Sequence, residues 1–160
     1  MKLIFIIFLL ISSLFADMIE LSTDWHRNLG EAKARAVQLK KPILLFLHSR
    51  DCFYCPKMIE NVFPTPKLAE QLNRDFVLLS LDGSTGSDSI EEEVTDQAPD
   101  RFITSVTPAI FFMGPDEEKL TRSNKKHMVI FGFWGVEDMS EWADDALKRF
   151  KKRYGEKYAK

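Results

Sequence analysis

The chain has 160 residues, 45% of them hydrophobic, enough for one domain with an apolar core and short of two ordinary ones. Its formal net charge of −2 excludes the whole-chain positive excess that marks nucleic-acid binding. It holds only two cysteines, so an intramolecular disulfide can join only Cys52 to Cys55.

Lys2 precedes an apolar run from Leu3 to Ile11, followed by Ser12, Ser13, Leu14, Phe15 and Ala16 ahead of the first acid, Asp17. This block is shorter than the roughly 20 residues of a spanning helix and matches a signal-peptide core. We read residues 1–16 as a signal peptide cleaved after Ala16, and residues 17–160 as the domain, although Leu14 is larger than the residue usual at its place. An uncleaved anchor and a buried N-terminal strand are the alternatives. No cysteine follows the run and no second long apolar segment occurs, so the expected product is a soluble periplasmic monomer in a compartment where disulfides persist.

Ser22 and Thr23 offer caps for a helix from about Asp24 to Lys40, with Trp25, Leu29, Ala32, Ala36 and Leu39 at helical spacing. Pro42 stops it, and Ile43 to Leu47 reads as a strand buried on both faces. A helix is expected from Phe53 to about Val62, ended near Pro64 and Pro66, then a short one from Lys67 to Asn73. Phe76 to Leu81 is a second buried strand. Residues 83–100, rich in Gly, Ser and acids, form a long connection with room for a short helix around Asp96 to Ile103. Pro108 opens a third strand through Met113, a Gly114-Pro115-Asp116 turn follows, and Met128 to Phe133 is a fourth strand. The last helix begins near Val136, with Met139, Trp142, Ala143, Ala146, Leu147 and Phe150 in one stripe. This order is an α/β fold with a central mixed sheet flanked by helices.

As a staple the Cys52–Cys55 pair is weak, because closing so short a loop stabilises by only about 2 kcal/mol. As a switch it is well placed: a strand feeding a helix sets Cys52 at the helix N-terminus, where N–H groups and the dipole favour a thiolate. Cys52 is then the attacking thiol and Cys55, one turn in and more shielded, the resolving one. Three rival readings remain open. Zinc lacks a second Cys pair, and His26, His48 and His127 are scattered. Copper could use both thiolates with His48 in a metallochaperone, and a structural disulfide could serve a noncatalytic binding module.

The stretch from Trp25 to Asp82, with Lys41-Pro42-Ile43-Leu44-Leu45-Phe46, Cys52-Phe53-Tyr54-Cys55 and Met58, resembles the thioredoxin-like superfamily. It is most similar to exported members with a Cys-x-Tyr-Cys centre and to the thioredoxin-like domain of the disulfide-reducing transmembrane carrier. Val106-Thr107-Pro108-Ala109 is similar to the family's second hallmark, and Gly132 to a glycine common in its last strand. The resemblance implies a thioredoxin-like fold and a cis bond before Pro108. It also implies a groove shaped by Thr107 and Pro108, beside Phe53 and Tyr54, that takes an extended protein disulfide substrate. It implies thiol:disulfide exchange without a bound cofactor, with a membrane thiol–disulfide carrier as electron donor.

Two departures from the family bear on direction. Phe46 stands six residues before Cys52, where thioredoxins carry a buried Asp, and Asp51 replaces a frequent Trp. Asp51 sets a negative charge beside Cys52, partly offset by Arg50, and Phe53 and Tyr54 supply no cation. Weaker thiolate support favours the disulfide, so the expected activity is reductase or isomerase rather than oxidase. Asp88, Glu91, Glu92, Glu93, Asp96 and Asp100 read as a solvated loop, with an acidic lid as the alternative. The basic residues from Lys148 to Lys160 complement the last helix's dipole, with contact to an anionic membrane as the alternative. Trp25, Trp134 and Trp142 are read as packing residues, with Phe133 and Trp134 as candidates to border the groove.

Overall fold

Strand β2 (Ile43–His48) lies at the centre of the sheet because five of its six residues are apolar and both faces are covered. In the computed structural model, which describes residues 25–84, 98, 100–102, 104–122, 124 and 126–158, five strands run in the order β1-β3-β2-β4-β5. β1 is Trp25–His26, β3 is Val77–Asp82, β4 is Ala109–Met113 and β5 is Val129–Phe131. β1 and β2 pair parallel to β3, and β4 pairs antiparallel to both β2 and β5. The fold is the mixed α/β arrangement read from the sequence.

The first element is a correction. The residues from Trp25 do not open a helix: Trp25 and His26 add a short strand beside Leu78 and Leu79. Helix α1 (Leu29–Leu39) starts later, capped by Asn28, whose Oδ1 accepts the Glu31 N–H at 3.1 Å. Asn28 and Glu31 are as good a cap signal as the serine and threonine upstream, and sheet pairing decides between them. The signal-peptide block, Ser22, Thr23, and the acidic positions 88, 91, 92, 93 and 96 lie outside the described residues.

Alternation along β2 sorts the core into two layers. Leu44 and Phe46 point to the face covered by α2 (Cys55–Lys57), α3 (Pro66–Asp75) and α4 (Val136–Tyr158). Ile43, Leu45 and Leu47 point to the other, covered by Ala32 and Ala36 of α1 and by Phe102 of a 3₁₀ turn at Asp100–Phe102. That turn stands within the short helix expected near Asp96 to Ile103. α2 continues as one π-helical stretch, Met58–Val62, closed by the Phe63 N–H on the Met58 carbonyl at 3.0 Å. α3 and α4 are joined by buried Gln71, which donates to Asp144 Oδ1 at 2.8 Å and accepts from Ser140 Oγ at 2.7 Å. Among the described residues no helix is long and apolar enough to cross a membrane.

Candidate active site

The parallel strands β2 and β3 end side by side at His48 and Asp82, and the chain leaving β2 turns through Ser49 to Cys52. The Cys52 N–H closes this turn on the Ser49 carbonyl at 3.2 Å. α2 starts at Cys55, with Pro56 in its first turn, where a missing N–H costs nothing. Cys52 therefore precedes the helix rather than lying in it. The Cys55 N–H points back at Cys52 Sγ at 3.1 Å, a donor placed to stabilise charge on that sulfur.

Cys52 and Cys55 form a disulfide with Cα atoms 5.4 Å apart. Both sit in the apolar cluster with Phe46, Met58 and Phe63. Cys52 is 7% exposed and Cys55 4%, a narrower difference than an open attacking thiol and a shielded resolving thiol would suggest. What is open is the rim: Phe53 is 71% exposed, Tyr54 44%, Val106 47% and Phe133 45%. The Tyr54 and Phe133 rings lie 5.9 Å apart, and Lys57 sits over both Phe53 and Tyr54, 4.6 and 5.4 Å from their centroids. Solvent-exposed aromatic groups gathered this way mark an interaction surface.

A second loop meets the first. The Thr107–Pro108 bond is cis. Thr107 Oγ1 and Ser49 Oγ share a hydrogen bond of 2.6 Å, tying the proline loop to the loop that carries Cys52. On the other side Gly132, in left-handed conformation at φ 81°, donates its N–H to the Pro108 carbonyl at 2.8 Å. The Thr107–Pro108 pair is thus held from the loop after β2 and from the residue after β5 together.

With this geometry in place, a thioredoxin-like family model matches residues 24–115, more than half of the chain. The chain belongs to the thioredoxin-like family. Three solved structures share its fold. A thioredoxin from Thermus thermophilus aligns at 21% identity and TM-score 0.57, over 86% of this chain and 97% of that one. A DsbH oxidoreductase aligns at 20% and 0.59, over 79% and 85%. The oxidised C-terminal domain of Neisseria meningitidis DsbD aligns at 15% and 0.51, over 72% and 90%. No curated protein matches the sequence.

In this thioredoxin-like chain Arg50 and Asp51 are both exposed in the loop before Cys52, and the Arg50 N–H donates to Ser84 Oγ at 2.9 Å. Ser49, Ser84 and Asp82 carried no signal in the sequence, because their roles come from loops that meet only in the fold. Burial at the strand end opposes ionisation of Asp82. Hydrogen bonds from the Ser84 hydroxyl and N–H, with His48 and Arg50 nearby, outweigh that and hold its carboxyl below the usual range. Trp134 and Phe133 part company: Trp134 packs edge-on against Trp142 and donates to the Phe131 carbonyl, whereas Phe133 joins the rim. Among the described residues no three His, Cys, Asp or Glu side chains gather as a metal-ligand set.

Proposed function

We propose that the chain is an exported thiol:disulfide oxidoreductase, acting as a reductase or isomerase on protein disulfides through Cys52 and Cys55. The observation that carries this reading is a disulfide whose loop is tied to the cis-proline loop through Ser49 and Thr107 and whose intervening aromatic residues, Phe53 and Tyr54, are exposed. A purely structural bond has no use for such a rim. Likeness to solved structures at this identity carries the fold; the chemistry rests on the pair itself.

In the reducing direction Cys52 thiolate attacks one sulfur of the partner's disulfide and expels the other as a thiolate that takes up a proton. Cys55 then loses its proton and attacks Cys52 Sγ, which closes the Cys52–Cys55 bond and releases the second partner thiol. The pair has given two electrons to the partner, and a membrane thiol–disulfide carrier restores it. Phe53, Tyr54, Val106 and Phe133 hold the apolar side chains flanking the partner's cystine, while Thr107 and Pro108 align its extended backbone. Asp51 beside Cys52 opposes the thiolate, and the disulfide gains by comparison.

A redox titration against glutathione or dithiothreitol tests the direction. A midpoint near that of thioredoxin, about −270 mV, is the expected result; one near the strong-oxidant value of about −120 mV overturns the reductase reading.

A further inference from the structure

Charge is segregated along α4. Its first half carries Glu137, Asp138, Glu141, Asp144 and Asp145 and no base, whereas its second half carries Lys148, Arg149, Lys151, Lys152, Arg153 and Lys157. The fold sorts these six bases. Arg149 donates to Asp145 Oδ1 at 3.1 Å, Arg153 lies 4.0 Å from Glu118 Oε2, and Lys157 stands over the Tyr154 ring in the last turn, where a cation complements the helix dipole. Lys148, Lys151 and Lys152 have no carboxylate partner among the described residues, and the acid one turn before Lys148, Asp144, accepts from Gln71 instead. The dipole's influence fades within the last turn, so it does not account for these three.

Helical spacing sets Lys148, Lys151, Lys152 and Gly155 on one exposed stripe, opposite buried Ala146, Phe150 and Tyr154. Lys151 and Gly155 line a concavity with Pro42, just before β2 begins, whereas the disulfide loop leaves β2 at its other end, roughly 17 Å along the strand. Among the described residues of α4 no large apolar side chain is exposed. Protein interfaces are anchored by such side chains, while a charged lipid surface needs only cations held near it. Lysine, a compact charge on a flexible stem, suits mobile headgroups better than a fixed set of acceptors. We propose that Lys148, Lys151 and Lys152 dock the protein on an anionic phospholipid surface, leaving the Cys52–Cys55 loop at the far end of the sheet. This surface does not depend on the thiol chemistry.

The test titrates the oxidised full chain with vesicles of phosphatidylglycerol and phosphatidylcholine, and with vesicles of phosphatidylcholine alone, and reads bound protein by sedimentation. The apolar block near the N-terminus contributes alike to both, so the ratio of the two affinities reads the lysines. At low salt the anionic vesicle should be preferred about a hundredfold, at about fivefold for each lysine, and salt at about 1 M should remove the preference. Replacing Lys148, Lys151 and Lys152 together by Gln should lower the ratio about a hundredfold. Gly155 offers variants that keep the fold, since a Cβ there meets nothing within 4 Å and ordinary residues favour a helix over glycine. Gly155→Glu should lower the preference about fivefold and Gly155→Lys raise it by as much. Lys67→Gln, exposed at the start of α3, should leave the ratio unchanged. A ratio near one for the parent chain, an unchanged ratio in the triple variant or in Gly155→Glu, an equal loss in Lys67→Gln, or binding to soluble polyglutamate as tight as to the anionic vesicle would each overturn the proposal.

Discussion

The end of the sheet at Gly114 is tied down by charge and close contact, whereas the end at Cys52 leaves aromatic side chains in solvent. At the first, Tyr154 of α4 donates to Asp116 Oδ1 at 2.6 Å and stacks on Phe150. Glu117 there bonds both Lys33 of α1 and Arg101 of the 3₁₀ turn, from a left-handed backbone at φ 67°. At the second, the rim rings touch one another and Lys57 while standing largely in solvent. The contrast separates where stability is gained from where the proposed partner would dock, since exposed apolar surface has no folding benefit of its own. Substitutions at the two ends should therefore fail in different ways.

The largest effect is expected at Gly114, where an added Cβ would lie 2.5 Å from Tyr154 Cζ. Gly114→Val should destabilise the fold by about 3 kcal/mol through overpacking, seen as a lowered thermal midpoint. Disulfide exchange per folded molecule should be unchanged. The opposite signature is expected at the rim. Phe133→Ser should leave the midpoint nearly unaltered and lower kcat/KM for a protein disulfide by about tenfold, or about 1.4 kcal/mol, with oxidised glutathione reduced as before. Equal losses on both substrates would remove the rim from substrate docking.

A smaller effect belongs to Glu117. Burial raises its pKa, but the hydrogen bonds and charges of Lys33 and Arg101 more than compensate and hold it below the usual value of 4.5. A carboxylate depressed in this way stabilises the fold above its unfolded pKa and loses that contribution as pH falls through the folded value. Glu117→Gln should cost about 1 kcal/mol at neutral pH in urea unfolding, since both partners are partly exposed. The gap to the parent chain should begin to narrow as pH falls below the usual value of 4.5 and vanish once pH is below the depressed folded value.

How much of this could be read in the sequence follows the range of the interactions. The buried strands were legible, because Ile43 to Leu47 and the apolar residues through Met113 are runs that only a covered sheet accommodates. α4 was legible from its stripe. β1 was not, since two residues carry no periodicity and their pairing with Leu78 and Leu79 is a tertiary event. The cysteine pair announced itself by spacing, and the cis bond before Pro108 came from family resemblance, X-Pro bonds being trans by default. Ser49 with Thr107, and Tyr54 with Phe133, are contacts between segments 58 and 79 residues apart, for which single side chains leave no local trace.

The central claim is that the two sulfurs are unequal partners in exchange, and the trapping of covalent complexes tests it most directly. Each cysteine is replaced by serine, cells expressing the variant are acid-quenched, and nonreducing gels are compared with reduced controls. Cys55→Ser should accumulate mixed disulfides through Cys52, because the resolving attack is gone, while Cys52→Ser should capture few or none. Both variants should remain folded, a loop this short contributing only about 2 kcal/mol. Capture by neither variant, with equal and large losses of thermal stability in both, would show the bond to be a structural staple and contradict the account.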